Sequence, residues 1–366
     1  MPRGWNCTMA LTERENYLRN ASFQHPEYMP VNLGISPASW DQWRESMEEV
    51  VVRHPRIWPD FRKGQVDWDN VDFGPAYTAG QPFRDAWGCV WETSTNGIEG
   101  VVIEHPLDTW DKWDQWRAPN PLETADRGPV DWEAARRNVA DRRAKGLLSE
   151  GGLPHGFLFM RLTYLRGFEN MMVDMATEEP MLWRLIDALY EHNRVLVEQN
   201  LAIDVDVITL GEDLGAQTAP IIGPEMFHKY CTPTYEKLIR PCREKGRHVM
   251  LHSDGYIMDL IDELLFAGVT ILNPQDLCNG IDNLRRELKG RVCIRLDVDR
   301  QTTVPYGTPQ EIHELIEEEV RTLGAPEGGL ELIVGVYPPT TPENVHALAC
   351  AFEEFQTYWF DGRGKA

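Results

Sequence analysis

A histidine and a carboxylate two positions apart, His252 and Asp254, follow a short apolar run at residues 249–251. The run is typical of a buried strand, and the apolar spacing after residue 257 predicts a helix. Side chains two positions apart at the end of a strand project to the same side. Such a pair can bind a metal ion, act as an acid–base dyad or hydrogen-bond a polar substrate. In a purely structural role it would cap the helix.

Other polar side chains stand at the ends of predicted strands. They are Arg161, Tyr164, Glu212, Asp213, Gln217, Asn273, Gln275, Asp297 and Asp299. In a parallel α/β fold the loops that follow the strands meet on one face, so we expect these groups to converge with His252 and Asp254. Their acidic character suits a metal cation, a cationic or hydroxyl-bearing substrate, or proton transfer. The following histidines are interpreted as structural: His25, His54, His105, His155, His192 and His248.

The elements that would position these residues alternate between strand and helix at intervals of roughly 30–50 residues. The predicted strands cover residues 29–35, 157–162, 205–213, 249–251, 269–273, 292–296 and 330–336. This alternation predicts a parallel sheet, and the number of units favours an α/β fold of the closed (β/α)8 (TIM) barrel type, forming one domain over residues 1–366. Neither a Gly-x-Gly-x-x-Gly turn nor a Walker loop occurs, which argues against a dinucleotide-binding or P-loop enzyme.

Residues 55–130 differ from the rest of the chain because they are dense in tryptophan, proline and aspartate. Asn96 and Gly97 separate two strand-like runs, which is a hairpin signal. We predict that this N-terminal segment is an insertion beside or over the barrel mouth. Its aromatic residues, Trp87 among them, either line a substrate pocket or anchor an irregular segment.

The chain carries 58 acidic and 36 basic residues, a formal net charge of -22. This surface repels phosphate backbones and anionic lipids, so nucleic-acid and membrane-surface partners are not expected. No run of 18 apolar residues suggests a membrane span, and residues 1–10 lack a signal-peptide pattern, which predicts a cytoplasmic protein. The seven cysteines, Cys7 included, are scattered and do not suggest a disulfide framework.

Six segments come in the order seen in the uroporphyrinogen decarboxylase superfamily, which the chain therefore resembles. They are GEDLGAQ (211–217), GPEMF (223–227), LHSDG (251–255), ILNPQ (271–275), YGTP (306–309) and TPENV (341–345). The resemblance covers roughly residues 80–355 and implies a (β/α)8 barrel. The superfamily contains the heme-pathway decarboxylase and methyltransferases that move methyl groups to or from corrinoid proteins.

Within the superfamily, the chain is more similar to the methyltransferases. The decarboxylase grips its many carboxylates with an arginine-rich N-terminal segment, whereas residues 29–36 contain no arginine. The thiol-methylating enzymes bind zinc through a His-x-Cys motif and a distant cysteine. His252 matches that histidine, but Asp254 stands at the first cysteine and Val334 near the second. Zinc accepts carboxylate oxygen, so the resemblance implies a zinc site formed by His252, Asp254 and another carboxylate.

The resemblance implies a methyltransferase that moves a methyl group between a small O- or N-methylated substrate and a corrinoid carried by a partner protein. His252 and Asp254 would bind the metal or protonate the leaving group, with Glu212 as a further catalytic residue. The expected substrate-binding residues are Asp213, Arg161, Tyr164, Gln217, Asn273, Asp297 and Trp87. Two alternatives remain: a decarboxylase or lyase acting on a small acid held by Arg161, and a non-catalytic barrel that binds a tetrapyrrole or a partner protein. A homodimer is also implied, since superfamily members often form dimers.

Overall fold

A curled sheet of seven parallel strands forms the centre of the protein. The computed structural model describes residues 11–124 and 126–365, so Cys7 and the N-terminal residues without a signal-peptide pattern lie outside it. The strands of this sheet are β1 (Val31–Ile35), β5 (Glu150–Gly152), β6 (Val207–Glu212), β7 (His248–Ser253), β8 (Ile271–Pro274), β9 (Cys293–Asp297) and β10 (Leu330–Val336). Their order in the sheet is β1-β10-β9-β8-β7-β6-β5.

The curl of the sheet is visible in an ion pair across its interior. Arg295 on β9 lies 2.6 Å from Glu150 on β5. These strands are four places apart, which in a flat sheet would separate them by about 19 Å. The sheet therefore bends around a common interior, which confirms the α/β class and the barrel-like arrangement.

The closed ring of eight strands is not formed within the described part of the chain. β1 and β5 are the two edges of the sheet. The stretch between them along the chain instead contains a separate antiparallel sheet of β2 (Phe83–Arg84), β3 (Val90–Glu92) and β4 (Val101–Glu104). Strands β3 and β4 pair on either side of Asn96 and Gly97, which confirms the predicted hairpin.

Helices cover the outside of the sheet. The α-helices are α1 (Glu13–Ala21), α2 (Pro37–Val51), α3 (Trp132–Ala144), α4 (Phe159–Arg166), α5 (Phe168–Thr177), α6 (Pro180–Ala202), α7 (Pro224–Tyr230), α8 (Thr232–Glu244), α9 (Ile261–Ala267), α10 (Asp276–Asn279), α11 (Ile281–Leu288), α12 (Thr303–Tyr306), α13 (Pro309–Leu323) and α14 (Pro342–Phe355). Short 3₁₀ helices occur at Pro75–Tyr77, Trp110–Lys112, Met258–Leu260 and Arg363–Lys365. Among the described helices, none has both the length and the apolar character that crossing a membrane requires.

One predicted strand, at residues 157–162, is wrong because those residues enter helix α4. The strand at this place is β5, whose sequence Glu-Gly-Gly has little intrinsic preference for a strand. Gly152 is required there, since a Cβ would overlap the backbone of Thr209 on the neighbouring strand. Because the two backbones approach so closely, only glycine fits at this position. The strand therefore lacks the apolar side chains from which strands are usually predicted.

Helix α1 closes the floor of the curled sheet. Tyr17 donates a hydrogen bond to Glu331 (3.0 Å), which also accepts one from Arg295 (2.6 Å). A small apolar cluster packs around them and consists of Tyr17, Ala21, Leu148, Val207, Met250, Ile271 and Cys293. The interior at this end is thus filled by side chains, which leaves the carboxyl ends of the strands for a ligand.

His248, near this floor, provides a test of pH dependence. Its ring nitrogens lie 3.1 Å from Ser22 Oγ and 3.3 Å from Thr270 Oγ1. Burial, helped by the charge of Arg243, lowers the pKa of His248 from 6.5 to about 4. Between these values the unfolded chain binds a proton that the folded protein does not, so stability falls as the pH drops through this window. In urea titrations, His248→Gln should lose less stability than the wild type from pH 6.5 to pH 4; equal losses would contradict this.

Candidate active site

A cavity of about 760 Å³ opens at the carboxyl ends of the strands. Its lining combines residues that follow strands β5, β6, β7, β9 and β10 with residues of helix α4 and of the antiparallel sheet. They are Trp91, Glu99, Gly100, Val101, Val102, His105, His155, Met160, Thr163, Tyr164, Phe168, Asp213, His252, Asp254, Arg300 and Tyr337. This volume is in the range that holds a small organic ligand.

The orientation of His252 is fixed from below by Asn273. The Asn273 side-chain amide donates to the backbone carbonyl of Arg295, so its Oδ1 faces the imidazole. That oxygen lies 2.8 Å from His252 Nδ1, which must therefore carry the proton. In the neutral ring the lone pair is then on Nε2, toward the cavity. The arrangement is the one in which a second group holds the tautomer of a ligating or proton-transferring histidine.

Arg300 neutralises the two carboxylates beside His252. Its guanidinium lies 2.6 Å from Asp254 Oδ1 and 2.7 Å from Asp297 Oδ2. Asp254 Oδ1 is also 3.3 Å from His252 Nε2. Burial opposes the charge of Asp254, but His252 and Arg300 overcome it and hold the pKa of Asp254 below its usual value. Burial dominates at Asp297 and raises its pKa to about 6.

Asp213 and His155 complete the other side of the polar group. His155 Nε2 lies 3.3 Å from Asp213 Oδ1, and His252 Nε2 lies 4.0 Å from the same oxygen. That oxygen is buried and is paired with His155, and it has no further hydrogen-bond partner in the part of the chain that the structure describes. Burial alone would lower the pKa of His252. The negative charges of Asp254 and, less strongly, Asp297 raise it by more, so the pKa of His252 lies above its usual value.

Two sets of three side chains bring ligand atoms within 4.8 Å of one another here: His155, Asp213 and His252, and His252, Asp254 and Asp297. The second set already binds the Arg300 guanidinium, whose positive charge would repel a cation. The first set offers two imidazole nitrogens and a buried carboxylate oxygen whose described contacts are those two imidazoles. Three such protein ligands and one open position are typical of catalytic zinc sites. The first set therefore has the donor atoms that a zinc ion would need, with Asp213 as its carboxylate.

Aromatic and apolar side chains form the opposite wall. The Trp91 ring lies 4.8 Å from that of Tyr164, edge to face. Burial raises the pKa of Tyr164 well above that of a free phenol, so its hydroxyl remains protonated. This hydroxyl lies 3.6 Å from Met160 Sδ, a weak acceptor. The wall therefore offers a flat apolar surface and one neutral donor to a ligand.

Several of the residues predicted for the site do not line the cavity. Glu212 is fully buried and accepts hydrogen bonds from the backbone N–H groups of Leu158, Phe159 and Met160, at the start of α4. Burial raises the pKa of Glu212 to about 7, although these N–H groups lower it. Its contacts are those of a group that holds the start of a helix, and it does not line the cavity.

Arg161 and Trp87 are likewise buried beneath the site. The Arg161 guanidinium lies 3.0 Å from Asp126 and 3.8 Å from Asp85, and it stacks over the Trp87 ring at 4.9 Å. The sequence predicts Arg161 near the end of a strand over residues 157–162, whereas in the structure Arg161 lies in helix α4. Gln217 lines a separate small cavity of about 120 Å³, beside Gln301.

Sequence reasoning missed two polar residues of the site, His155 and Arg300. His155 was interpreted as structural because β5, the strand that it follows, was not recognised. A signal existed: the Gly-Gly-Leu-Pro-His run is compatible with a glycine strand followed by a loop. Arg300 follows Asp297 by three residues, and its role as the partner of two carboxylates depends on spatial proximity that spacing does not reveal.

Comparison with solved structures supports the fold. A methyltransferase from Methanosarcina mazei superimposes with a TM-score of 0.65 at 17% identity, covering 94% of this chain and 99% of that one. A B12-independent methionine synthase from Shewanella sp. W3-18-1, in complex with selenomethionine, gives 0.42 at 11% identity, covering 62% and 69%. At 17% identity, the likeness to the Methanosarcina mazei structure concerns the fold alone. A search of curated proteins gave no significant match.

The family comparison covers most of the chain. The profile of the family described as uroporphyrinogen decarboxylase (URO-D) matches residues 85–355. The match includes all but one strand of the curled sheet and every polar residue described around His252. It agrees with the resemblance carried by the six sequence segments. The chain belongs to the uroporphyrinogen decarboxylase (URO-D) family.

Proposed function

We propose that the protein is a methyltransferase that moves a methyl group between a small O- or N-methylated substrate and a corrinoid held by a partner protein. The observation that carries this proposal is the donor set of His155, Asp213 and His252 at the mouth of an apolar-walled cavity. Breaking a C–O or C–N bond requires a proton or a Lewis acid on the leaving atom. The site has groups for either.

In this proposal, some residues orient His252 and Arg300, and others bind the metal ion or transfer a proton to the leaving atom. Asn273 keeps the protonated Nδ1 of His252 away from the cavity, so that Nε2 faces the reacting group. A zinc ion bound by His155, Asp213 and His252 would supply a Lewis acid for the leaving oxygen or nitrogen. Asp254, between His252 and Arg300, keeps the guanidinium beside the site and out of the ligand set.

The walls favour an aromatic or otherwise flat methylated substrate. Trp91 and Tyr164 present ring surfaces, and Met160 adds a polarisable thioether. The net charge of -22 disfavours a substrate with many carboxylates. Arg161, which the decarboxylase alternative needed as its carboxylate-binding group, is buried against Asp126. These features favour methyl transfer over decarboxylation.

The proposal is tested by incubating the zinc-loaded protein with free cob(I)alamin and a panel of aryl methyl ethers and methylated amines. We expect the absorption spectrum of the reduced corrinoid to change to that of the methylated form with at least one methyl donor, together with one equivalent of demethylated product. Release of carbon dioxide from a small acid, without corrinoid methylation, would replace the proposal by the lyase alternative. Tight substrate binding without any product would favour a binding protein.

A further inference from the structure

A second group of metal-ligating side chains lies on the outer helices, away from the cavity. His346 and Cys350 are four residues apart on α14 and so share one face of that helix. His54, just after α2, is 3% exposed and packs against them. Helices α2 and α14 are neighbours in the helical layer. None of the three residues lines the cavity that contains His252.

The His54 ring is held in the orientation of a metal ligand. Its Nδ1 lies 3.1 Å from Glu353 Oε2, a carboxylate that accepts the Nδ1 proton. The lone pair of Nε2 then points at His346 Nδ1, 2.7 Å away. A carboxylate that holds the outer nitrogen of an imidazole is the usual support of a histidine bound to zinc. In the metal-free state a single proton lies between the two rings.

Cys350 supplies a sulfur ligand beside these nitrogens. Its Sγ lies 3.9 Å and 3.8 Å from the two ring nitrogens of His346, and the three donor atoms are all within 4.8 Å of one another. Ligand atoms around a tetrahedral zinc ion are separated by roughly 3.3–3.8 Å, given metal–ligand distances of about 2.0–2.3 Å. The distances from Cys350 Sγ to His346 lie at the upper end of this range, whereas the 2.7 Å contact between the two rings would have to lengthen on binding.

We propose that His54, His346 and Cys350 form a second site for zinc or a similar thiolate-binding divalent cation, with Glu353 supporting His54 and water at the fourth position. Binding releases the thiol proton of Cys350, and the single ring proton of His346 moves from Nδ1 to Nε2, so that the Nδ1 lone pair is free for the ion. The ion would link the segment after α2 to α14. The proposal is independent of methyl transfer because no residue of the candidate active site takes part.

Cobalt(II) titration distinguishes this site from the one at the mouth. A thiolate bound to cobalt gives a charge-transfer absorption in the near ultraviolet, whereas His155, Asp213 and His252 contain no sulfur. We expect this absorption in the wild type and in His252→Ala, and its loss in Cys350→Ser and in His346→Ala. His313→Ala, on the outer helix α13, is the matched control and should keep the absorption. If the wild type lacks the charge-transfer absorption, or if Cys350→Ser keeps it, the proposal is overturned.

Thermal unfolding gives a second readout that does not require cobalt. In the His252→Ala background, added zinc should raise the unfolding midpoint, because a ligand that binds the folded state stabilises it. Adding Cys350→Ser to that background should remove the rise. Because Cys350 is exposed, the serine variant is expected to fold normally. An equal rise in both proteins would also contradict the second site.

Discussion

Replacing His252 by alanine is expected to lower kcat/KM for methyl transfer by about 10²–10⁴-fold, the range for loss of an acid–base or metal-ligating group. The variant removes both the ring nitrogen that faces the cavity and the Nδ1–H group that donates a hydrogen bond to Asn273. The rate is measured with saturating zinc and cob(I)alamin and with the best methyl donor of the panel. His228→Ala is the control, because His228 is an exposed residue on α7 that pairs with Glu263.

The Asp213→Asn and Asp254→Asn variants sharpen this test. If Asp213 is the ligand and Asp254 only neutralises Arg300, the Asp213 variant should lose zinc affinity far more than the Asp254 variant. Both substitutions keep the size of the side chain and remove one negative charge. The reverse order of affinities would restore the His252–Asp254 pair as the metal ligands. A His252→Ala rate within threefold of the wild type would contradict any chemical role for the histidine.

Replacing Glu212 by alanine is expected to destabilise the protein by at least about 3 kcal/mol. The change leaves three N–H groups at the start of α4 without their acceptor, and each buried unpaired group costs about 1–3 kcal/mol. The free energy of unfolding is obtained from urea titration. Glu212→Gln retains one acceptor oxygen and should lose less. An exposed glutamate on α7, Glu225, serves as the control, and its alanine variant should change stability by about 0.5 kcal/mol or less.

The kinetics of Glu212→Ala distinguish a structural role of Glu212 from a catalytic role. Helix α4 carries Met160 and Tyr164 to the cavity wall. Loosening its first turn should therefore raise KM more than it lowers kcat. A stable Glu212→Ala protein with a large loss of kcat alone would contradict the structural role and support the catalytic role predicted from the sequence.

The fold was predictable where strands carry apolar runs and helices carry capping residues. Helix α13 (Pro309–Leu323) is preceded by Thr308, which forms a capping box with Glu311, a pattern that can be read directly from the sequence. Prediction failed at β5, because Gly152 is selected by contact with Thr209, a residue far away in sequence. The absence of an eighth barrel strand from residues 11–124 and 126–365 could not be foreseen either, since tryptophan-rich segments do not reveal whether they form barrel strands or a separate sheet.

The candidate site was predictable to the extent that it follows correctly identified strands. Strands β6 and β7 deliver Asp213, His252 and Asp254 to one cavity, as their positions at strand ends suggest. Position after a strand does not determine side-chain direction, however: Glu212 turns inward to a helix terminus, while Asp213 turns toward the cavity. The partners that decide charge balance, such as Arg300, come from different loops and depend on the tertiary structure.

The most direct test of the metal-centred account is the zinc content of the purified protein. The measurement uses the Cys350→Ser variant, in which only the site of His155, Asp213 and His252 can bind zinc. A second sample carries His252→Ala in addition. Mass spectrometry under native conditions should find one zinc ion per chain in Cys350→Ser and none after His252 is also removed. Equal zinc content in the two samples, or no zinc in either after incubation with the metal, would contradict a metal centre at His155, Asp213 and His252.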